Sequence, residues 1–341
     1  MNPAVAVIIP TANRPEFLRN ALRSVSTQTA VTRIAEVLVS ENGGNETSRA
    51  ICAEFAGLPI RYLFRTPTTS AMEHGNLLLG ALPQCDLTAF LHDDDWWAPY
   101  HLEHGIKALE DRIHAAAYYS SVFEVTGETA LLRCDTNSGF WFGAGYPPLT
   151  CLWDISRPQV ILSCLLRTPG RASAIVARTA SLRKASVIIR NSGNPFDTDR
   201  MLPVLLSREG TILYNPLPQV FIRYHELQDQ RSFTPKERIE FASKTTDWII
   251  ESAEEHPADL VQRFVEVVKR CPQQDRPTLD FQLSQPWCVP RMALDPQMER
   301  ELRFLLDTMG RSSKYKTALK QFIPPIVLSA KRIISRRFFH F

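Results

Sequence analysis

Short runs of apolar residues alternate with helical patterns along the first third of the chain. The continuous apolar run over residues 5–9 is typical of a strand buried on both faces, and the largely apolar segments 34–39, 60–64, 87–91 and 115–125 predict further strands. Apolar residues three or four positions apart predict helices between them, over residues 15–25, 47–55, 71–82 and 99–112. Because each crossover carries a helix, the pattern predicts an α/β fold with a doubly wound, mostly parallel sheet.

The pattern is less regular after residue 126. The segment 127–169 is rich in glycine, proline and aromatic residues, and we interpret it as a long connection that lines a pocket wall or as a packed insertion. Further strands are predicted over residues 174–176, 186–190, 211–214 and 219–224. From residue 235 onward amphipathic helices are predicted, over residues 237–252, 258–269 and 297–309. We therefore expect an α/β domain over residues 1–233 and a helical C-terminal region over residues 234–341.

Composition narrows the class of protein. An apolar fraction of 44% and a charged fraction of 22% are typical of a globular protein, and a net charge of +3 gives no general nucleic-acid footprint. The seven cysteines are scattered without a CxxC pair, which argues against structural zinc and suits a reducing compartment. The N-terminus opens directly into strand-like sequence, so we expect no signal peptide. No apolar run approaches the length of about 18 residues needed to span a membrane.

The C-terminal tail has a separate interpretation. No acidic residue follows Asp307, and the segment 326–341 can place apolar residues on one helical face and Arg332 and Arg336 on the other. A basic amphipathic helix of this kind binds anionic membranes. We therefore expect a cytoplasmic protein with peripheral contact at the inner face of the cytoplasmic membrane. The alternatives are a terminal helix packed on the domain, or a disordered tail.

The predicted strand at residues 87–91 leads into three consecutive carboxylates, Asp93, Asp94 and Asp95. Carboxylates this close repel one another unless a positive charge lies among them. Mg²⁺ and Mn²⁺ have oxygen ligands and usually bind together with phosphates. The alternative is a solvated acidic turn at the start of the next helix.

Two further predicted strands end in polar residues, at 11–14 and at 40–42. Ligands of open α/β sheets bind at the carboxyl ends of the strands. We therefore expect these two strand ends and the acidic segment 92–95 to converge on one crevice.

Three segments carry a family resemblance: Val7-Ile-Ile-Pro-Thr-Ala-Asn-Arg-Pro15, Val37-Leu-Val-Ser-Glu-Asn-Gly43 and Phe90-Leu-His-Asp-Asp-Asp-Trp-Trp-Ala-Pro99. In order and spacing they resemble the family 2 glycosyltransferases of the GT-A fold, of the non-processive bacterial type. The resemblance covers residues 4–112 well and residues 170–233 more weakly. It implies that residues 1–233 form a Rossmann-like GT-A domain that binds a nucleotide sugar.

The resemblance also implies donor-binding residues. Pro10 and Thr11 match the loop that lies against the nucleotide, and Asn13 and Arg14 belong to the same loop. Glu41 stands where the family usually has an Asp that contacts the base. The remaining expected donor contacts are Asn76, Asp93 and Arg223.

The acidic triplet matches the DxD motif of the family with one departure, since His92 replaces its first Asp. Asp94 then takes the metal-ligand position for Mn²⁺ or Mg²⁺, with Asp95 and the distant His225 as further expected ligands. His225 closes an Arg-x-His sequence that resembles a late strand end of non-processive members, and it could bind a phosphate instead. His92 either ligates the metal, hydrogen-bonds the ribose or is a packed histidine.

The second acidic turn matches the position of the catalytic base. Asp199 aligns with the catalytic Asp of the family, Thr198 replaces a Glu, and Asp197 is the reserve candidate. An inverting transferase needs one carboxylate to take the proton of the acceptor hydroxyl. The alternative for Asp199 is a helix N-cap.

The resemblance therefore implies an inverting, metal-dependent glycosyltransferase that moves a sugar from a nucleotide-sugar donor to a glycan or lipid-linked acceptor. Cell-surface polysaccharide or lipopolysaccharide assembly is the expected setting. The Gln-x-x-Arg-Trp signature of processive members is absent. Two alternatives are a catalytically silent glycan- or nucleotide-binding module on the same fold, and a nucleotidyltransferase.

Overall fold

A computed structural model of the chain describes residues 3–44, 46–126, 130–135, 140, 144–145, 147, 151–166, 168–192, 198–225, 234–254 and 257–270. The predicted helix at 297–309, the amphipathic tail and Asp197 lie outside the described residues.

The described residues form one sheet of ten strands in the order β3-β2-β1-β4-β9-β6-β10-β5, with β7 paired to β6 and β8 paired to β10. The strands are β1 Val5–Thr11, β2 Ile34–Asn42, β3 Ile60–Arg65, β4 Leu87–Phe90, β5 Trp96–Trp97, β6 Ala115–Thr126, β7 Ala130–Asp135, β8 Trp153–Ile155, β9 Ile175–Arg178 and β10 Thr211–Tyr224. Strands β1 to β4 are parallel, as is the pair β6 and β10, while β9 runs antiparallel between β4 and β6. The predicted doubly wound, mostly parallel α/β sheet is confirmed.

Nine α-helices are described: α1 Pro15–Ser26, α2 Thr47–Ala53, α3 Ala71–Gly80, α4 His101–Asp111, α5 Arg157–Leu166, α6 Thr179–Ser192, α7 Thr198–Leu206, α8 Pro235–Ser252 and α9 Pro257–Arg270. Among these helices, none combines the length and apolarity needed to cross a membrane.

The core lies on both faces of the sheet. On one face, Leu22 of α1 and Leu102 of α4 join an apolar cluster with the first strands. On the other face, Leu182 of α6 packs in a cluster that also contains Ile249 of α8 and Phe264 of α9. The helices after residue 234 therefore share a core with the α/β fold, and the boundary near residue 233 stays a prediction.

The strand predicted at residues 186–190 is wrong, because the segment belongs to α6. Leu182, Ala185 and Ile189 are buried at helical spacing, whereas Val187 is 49% exposed. A run of apolar residues over 187–189 has the composition of a strand, but tertiary packing decides in favour of the helix.

Two other predictions need correction. The irregular connection over 127–169 contains β7, β8 and α5, and every residue of α5 from Val160 to Leu166 is buried. A helix that is apolar all round has no amphipathic period to detect. The two strands predicted at 211–214 and 219–224 are one strand, β10, whose register shifts near Asn215 and Pro218.

Helix α4 packs closely on the sheet at Gly105. A Cβ there would lie 2.6 Å from Val176 Cγ2 and 3.1 Å from Tyr118 Cδ1. We expect Gly105→Ala to lower the free energy of unfolding by about 1–3 kcal/mol, because overpacking forces strand and helix apart. Gly75 of α3 has open space around its Cα, so Gly75→Ala is expected to raise the free energy of unfolding by about 0.5–1 kcal/mol. Urea denaturation of both variants measures the two changes, and a loss of stability in both would contradict the packing argument.

Candidate active site

The carboxyl ends of β1 and β4 meet through a side-chain hydrogen bond. Thr11 Oγ1 donates to Asp93 Oδ2 at 2.8 Å, and both residues are buried. Glu41, near the end of β2, lies beside Thr11 in the parallel register. Pro10 is partly buried and precedes Thr11 on β1. The structure therefore brings the three predicted strand ends to one edge of the sheet.

The loop after β1 contributes a positive charge to the acids. Arg14 Nη1 lies 3.5 Å from Asp93 Oδ1 and 3.6 Å from Asp94 Oδ2. Asn13 adopts a left-handed backbone with φ of 54°, a conformation that asparagine tolerates better than most residues. Its side chain fills the space above Gly44, where a Cβ would lie 1.9 Å from Asn13 Oδ1. The loops after β1 and β2 are thereby held together.

Asp94 lies between basic groups of two different elements. His225 Nε2 is 2.8 Å from Asp94 Oδ2, and Arg223 Nε donates to the Asp94 carbonyl oxygen at 3.0 Å. Arg223 lies at the end of β10 and His225 just beyond it, and both are more than a hundred residues from Asp94 in sequence. The Arg-x-His segment therefore reaches the acidic triplet, although sequence spacing alone gives no distance between them.

Asp95 is held by two donors. Its Oδ1 accepts from the Arg223 backbone N–H at 3.0 Å, and its Oδ2 accepts from Ser173 Oγ at 2.5 Å. Burial and the charge of Asp94 raise the pKa of Asp95 to about 7. Burial and Asp94 also raise the pKa of Asp93 to about 6, against the opposing effects of Arg14 and Thr11. Ionising all three carboxylates near neutral pH is therefore unfavourable without further positive charge.

An aromatic pair encloses the Arg223 guanidinium. Its Cζ lies 4.6 Å from the centroid of the Phe17 ring and 4.9 Å from that of Trp96, within the range of cation–π contact. Phe17 also packs against the His225 ring at a centroid distance of 4.8 Å. The apolar spacing of α1 accounts for Phe17 without predicting this contact, since its partners Arg223 and His225 lie at the end of β10 and just beyond it.

The acids have the donor set of a cation site. One ligand atom from each of His92, Asp94 and Asp95 lies within 4.8 Å of the others. The His92 side chain is 49% exposed, so it is not a packed histidine, and its Nδ1 lies 4.0 Å from Asp95 Oδ2. The two carboxylates suit Mn²⁺ or Mg²⁺, which prefer oxygen ligands, and the raised pKa values of the acids fit a site that gains from a cation. His225 is next to these three residues because its Nε2 is hydrogen-bonded to Asp94 Oδ2.

Asp199 is linked to the acidic cluster by a short 3-10 turn over Ala172–Ala174. The carboxylate Oδ1 of Asp199 accepts from the Ala172 backbone N–H at 3.1 Å. In the same turn, Ser173 Oγ donates to Asp95 and accepts from the His92 backbone N–H at 3.0 Å. Asp199 is the second residue of α7 and bonds outside that helix, so the geometry differs from the N-cap alternative.

Glu41 is fully buried and has one engaged carboxylate oxygen. Tyr62 Oη donates to Glu41 Oε2, and the Arg49 guanidinium lies 4.8 Å from the centroid of the Tyr62 ring. Burial, followed by the hydrogen bond to Glu41, raises the pKa of Tyr62 well above its ordinary value, so the phenol stays protonated. Glu41 Oε1 is buried without a hydrogen-bond partner among the residues that the structure describes. A buried carboxylate oxygen of this kind gains free energy when a donor reaches it.

Helix α3 contributes a buried histidine, His74, near the end of β2. His74 Nε2 lies 2.8 Å from Ser40 Oγ, and Arg65 Nε donates to the same hydroxyl at 3.2 Å. Burial and the charge of Arg65 lower the pKa of His74 to about 4, so its ring is neutral at neutral pH. Asn76 is partly exposed on the same helix.

The chain is similar to known proteins both in its sequence and in its fold. Residues 6–146 match the family model for glycosyl transferase family 2, and no curated protein sequence matches the chain. Among solved structures, S. aureus TarS 1–349 in complex with UDP-GlcNAc is similar with a TM-score of 0.58 and 14% identity, over 91% of this chain and 92% of that chain. A longer S. aureus TarS structure is similar with a TM-score of 0.55 and 14% identity, over 90% of this chain and 53% of that chain. At these identities the likeness establishes the fold.

Proposed function

We propose that this chain moves a sugar from a nucleotide-sugar donor to a glycan or lipid-linked acceptor, with inversion and with help from a divalent cation. It is a glycosyltransferase of the GT-A fold, and its residues 6–146 match glycosyl transferase family 2. The observation that carries this proposal is the meeting of three separate elements at Asp94. The loop after β1 brings Arg14, β4 leads into the acids, and the end of β10 brings Arg223 and His225. A crevice at the carboxyl ends of the strands is where nucleotides bind in such sheets.

The cation site consists of His92, Asp94 and Asp95 in this proposal. A cation bound there supplies positive charge that stabilises the diphosphate as it leaves the sugar. Thr11 and Arg14 hold Asp93 beside it, and Ser173 holds Asp95. The proposed donor-binding residues are Pro10, Thr11, Asn13, Arg14, Glu41, Asn76, Asp93 and Arg223, and His225 is a further proposed metal ligand.

Asp199 is the proposed general base, with Asp197 as the reserve candidate. Its carboxylate takes the proton of the acceptor hydroxyl while that oxygen forms a bond to the anomeric carbon. The bond from the anomeric carbon to the phosphate oxygen breaks, and its electron pair leaves with the nucleoside diphosphate. The link through Ala172 and Ser173 supports this role because it keeps Asp199 on the same side as the acids.

The donor base is proposed to be uracil. Glu41 Oε1 is buried without a hydrogen-bond partner among the described residues, and the rings of uracil and guanine present an N–H where those of cytosine and adenine carry an acceptor nitrogen. A similar fold, TarS, has been solved with UDP-GlcNAc, which supports the same choice. The acceptor in cell-surface polysaccharide or lipopolysaccharide assembly is a proposal from the family resemblance. A membrane contact through residues 326–341 is a proposal from the basic amphipathic pattern of that segment.

Calorimetric titration of UDP, GDP, CDP and ADP in the presence of Mn²⁺ tests the donor site. We expect UDP to bind most tightly, and Glu41→Gln to weaken its binding about tenfold, because a hydrogen bond to a charged group contributes about 1.5–3 kcal/mol. Glu36→Gln is the matched control, since Glu36 lies on the same strand and pairs with Arg61 at 2.6 Å. Absence of UDP binding, or equal losses in both variants, would contradict the proposed donor site.

A further inference from the structure

A buried arginine joins three helices directly behind Asp199. Arg200 is 3% exposed, and its Nε donates to the Cys164 carbonyl oxygen of α5 at 2.8 Å. On α8, its Nη1 donates to the Ala242 carbonyl oxygen at 3.2 Å and its Nη2 to Thr246 Oγ1 at 2.9 Å. One guanidinium therefore ties the first turn of α7 to the last turns of α5 and the middle of α8.

Arg200 follows Asp199 in the first turn of α7. Successive side chains of a helix point about 100° apart, so the orientation of one defines that of the next. Arg200 is directed into the packed helices, and Asp199 reaches the Ala172 backbone N–H at 3.1 Å. A rotation of this turn that released Arg200 would also move the Asp199 carboxylate away from Ala172.

We propose that Arg200 is a positioning residue for Asp199, through which helix α8 takes part in catalysis. The inference rests on the proposed function for the role of Asp199, and on the hydrogen bonds of Arg200 for the mechanical link. It assigns a further task to residues 235–252, beyond their part in the core.

Lysine is an informative replacement for Arg200. A guanidinium donates in a fixed planar fork, whereas an ammonium is a compact charge that cannot reach acceptors on both α5 and α8 in the same way. Arg200→Lys keeps the charge and removes the fork. The first turn of α7 then loses its link to α8.

Arg157 provides a matched control within the same helices. Its Nη1 donates to the Val204 carbonyl oxygen in the last turn of α7 at 3.0 Å, and its Nη2 to the Ser252 carbonyl oxygen at the end of α8 at 2.6 Å. Arg157 thus joins α5, α7 and α8 as Arg200 does, but at the opposite end of α7 from Asp199. Arg157→Lys is expected to lower stability without moving Asp199.

The test compares the two variants in the full chain by three measurements: urea denaturation, hydrogen exchange of the Ala172 amide, and release of UDP from UDP-GlcNAc with Mn²⁺. We expect both variants to lose stability, and only Arg200→Lys to lose protection at Ala172, by about tenfold or more. In that variant kcat should fall about tenfold or more while KM changes less than about twofold, since a small misplacement of a catalytic group can cost up to about 10²-fold. Equal effects of the two variants on Ala172 exchange would overturn the inference.

A second variant covers the case in which Arg200→Lys does not fold. Thr246→Val preserves the side-chain shape and removes one acceptor of Arg200, so the same pattern is expected with a smaller loss, about threefold in kcat and in Ala172 protection. Hydrogen exchange needs no donor and no turnover. If the wild-type chain released no UDP, the proposed function would be in question, while Ala172 exchange would still decide whether Arg200 holds Asp199.

Discussion

Asp94→Asn is expected to lower nucleotide-sugar turnover about 10³-fold. The replacement keeps the size of the side chain and removes its charge, next to His225 at 2.8 Å and Arg14 at 3.6 Å. Asp94 would act through the cation that it holds, which would stabilise the charge of the leaving diphosphate. Loss of one group that stabilises developing charge typically costs about 10²–10³-fold. Steady-state release of nucleoside diphosphate measures the change.

Asp86→Asn is the control for this prediction. Asp86 directly precedes β4, at the opposite end of the strand from Asp94, and its Oδ2 accepts from the Ala4 backbone N–H at 3.0 Å. The control removes one carboxylate charge from the same strand region, and wild-type turnover is expected. If Asp94→Asn kept more than about a tenth of wild-type turnover, Asp94 would have no part in metal-assisted transfer.

Asp199→Asn is expected to lower kcat about 10²–10⁴-fold, the usual contribution of a general base, with UDP binding unchanged. The amide of Asn cannot take the proton of the acceptor hydroxyl. Its oxygen can still accept the hydrogen bond that the Ala172 N–H donates to Asp199 Oδ1 at 3.1 Å in the wild type. A loss in kcat without a loss in UDP affinity separates a base from a donor-binding residue.

The control for Asp199 is Asp259→Asn. Asp259 lies in the first turn of α9, as Asp199 lies in the first turn of α7, and it is exposed. A carboxylate at a helix start contributes about 0.3–1 kcal/mol to stability through the helix dipole. Both variants should therefore lose similar stability, and only Asp199→Asn should lose turnover. Full turnover in Asp199→Asn would leave Asp199 with the helix-start role alone.

The parts of the fold that the sequence predicts well have strong local signals. Strand β1 begins with a continuous apolar run, and β2 and β4 are largely apolar, because both faces of a parallel sheet are buried. Helix α5 was missed because it is apolar all round, and α6 was assigned in part as a strand because Val187, Ile188 and Ile189 are β-branched. Tertiary packing, which no local window contains, decides both cases.

The candidate site divides in the same way. The acidic triplet and the polar strand ends are visible in sequence because carboxylates after an apolar run are unusual. The residues that hold them are not visible, because Ser173, Phe17 and Tyr62 reach their partners only when distant strands pair. Ser173 in particular touches Asp95 and the His92 backbone across about eighty residues of chain.

Helices α8 and α9 show how position can matter without a motif. No residue of 235–270 carries a family signature, yet Ile249 and Phe264 join the core and Thr246 binds Arg200. Sequence reasoning found the helices from their periodicity, and it could not find the link to Asp199.

The most direct test of a metal-dependent glycosyltransferase is donor turnover by the purified full chain. A panel of nucleotide sugars is incubated with Mn²⁺ or Mg²⁺, and released nucleoside diphosphate is measured with and without EDTA. We predict release of UDP from one uridine donor, loss of that release with EDTA, and loss in Asp94→Asn but not in Asp86→Asn. Release of pyrophosphate instead would indicate a nucleotidyltransferase. Nucleotide binding without release from any donor, unchanged in Asp199→Asn, would contradict the account and indicate a binding module on this fold.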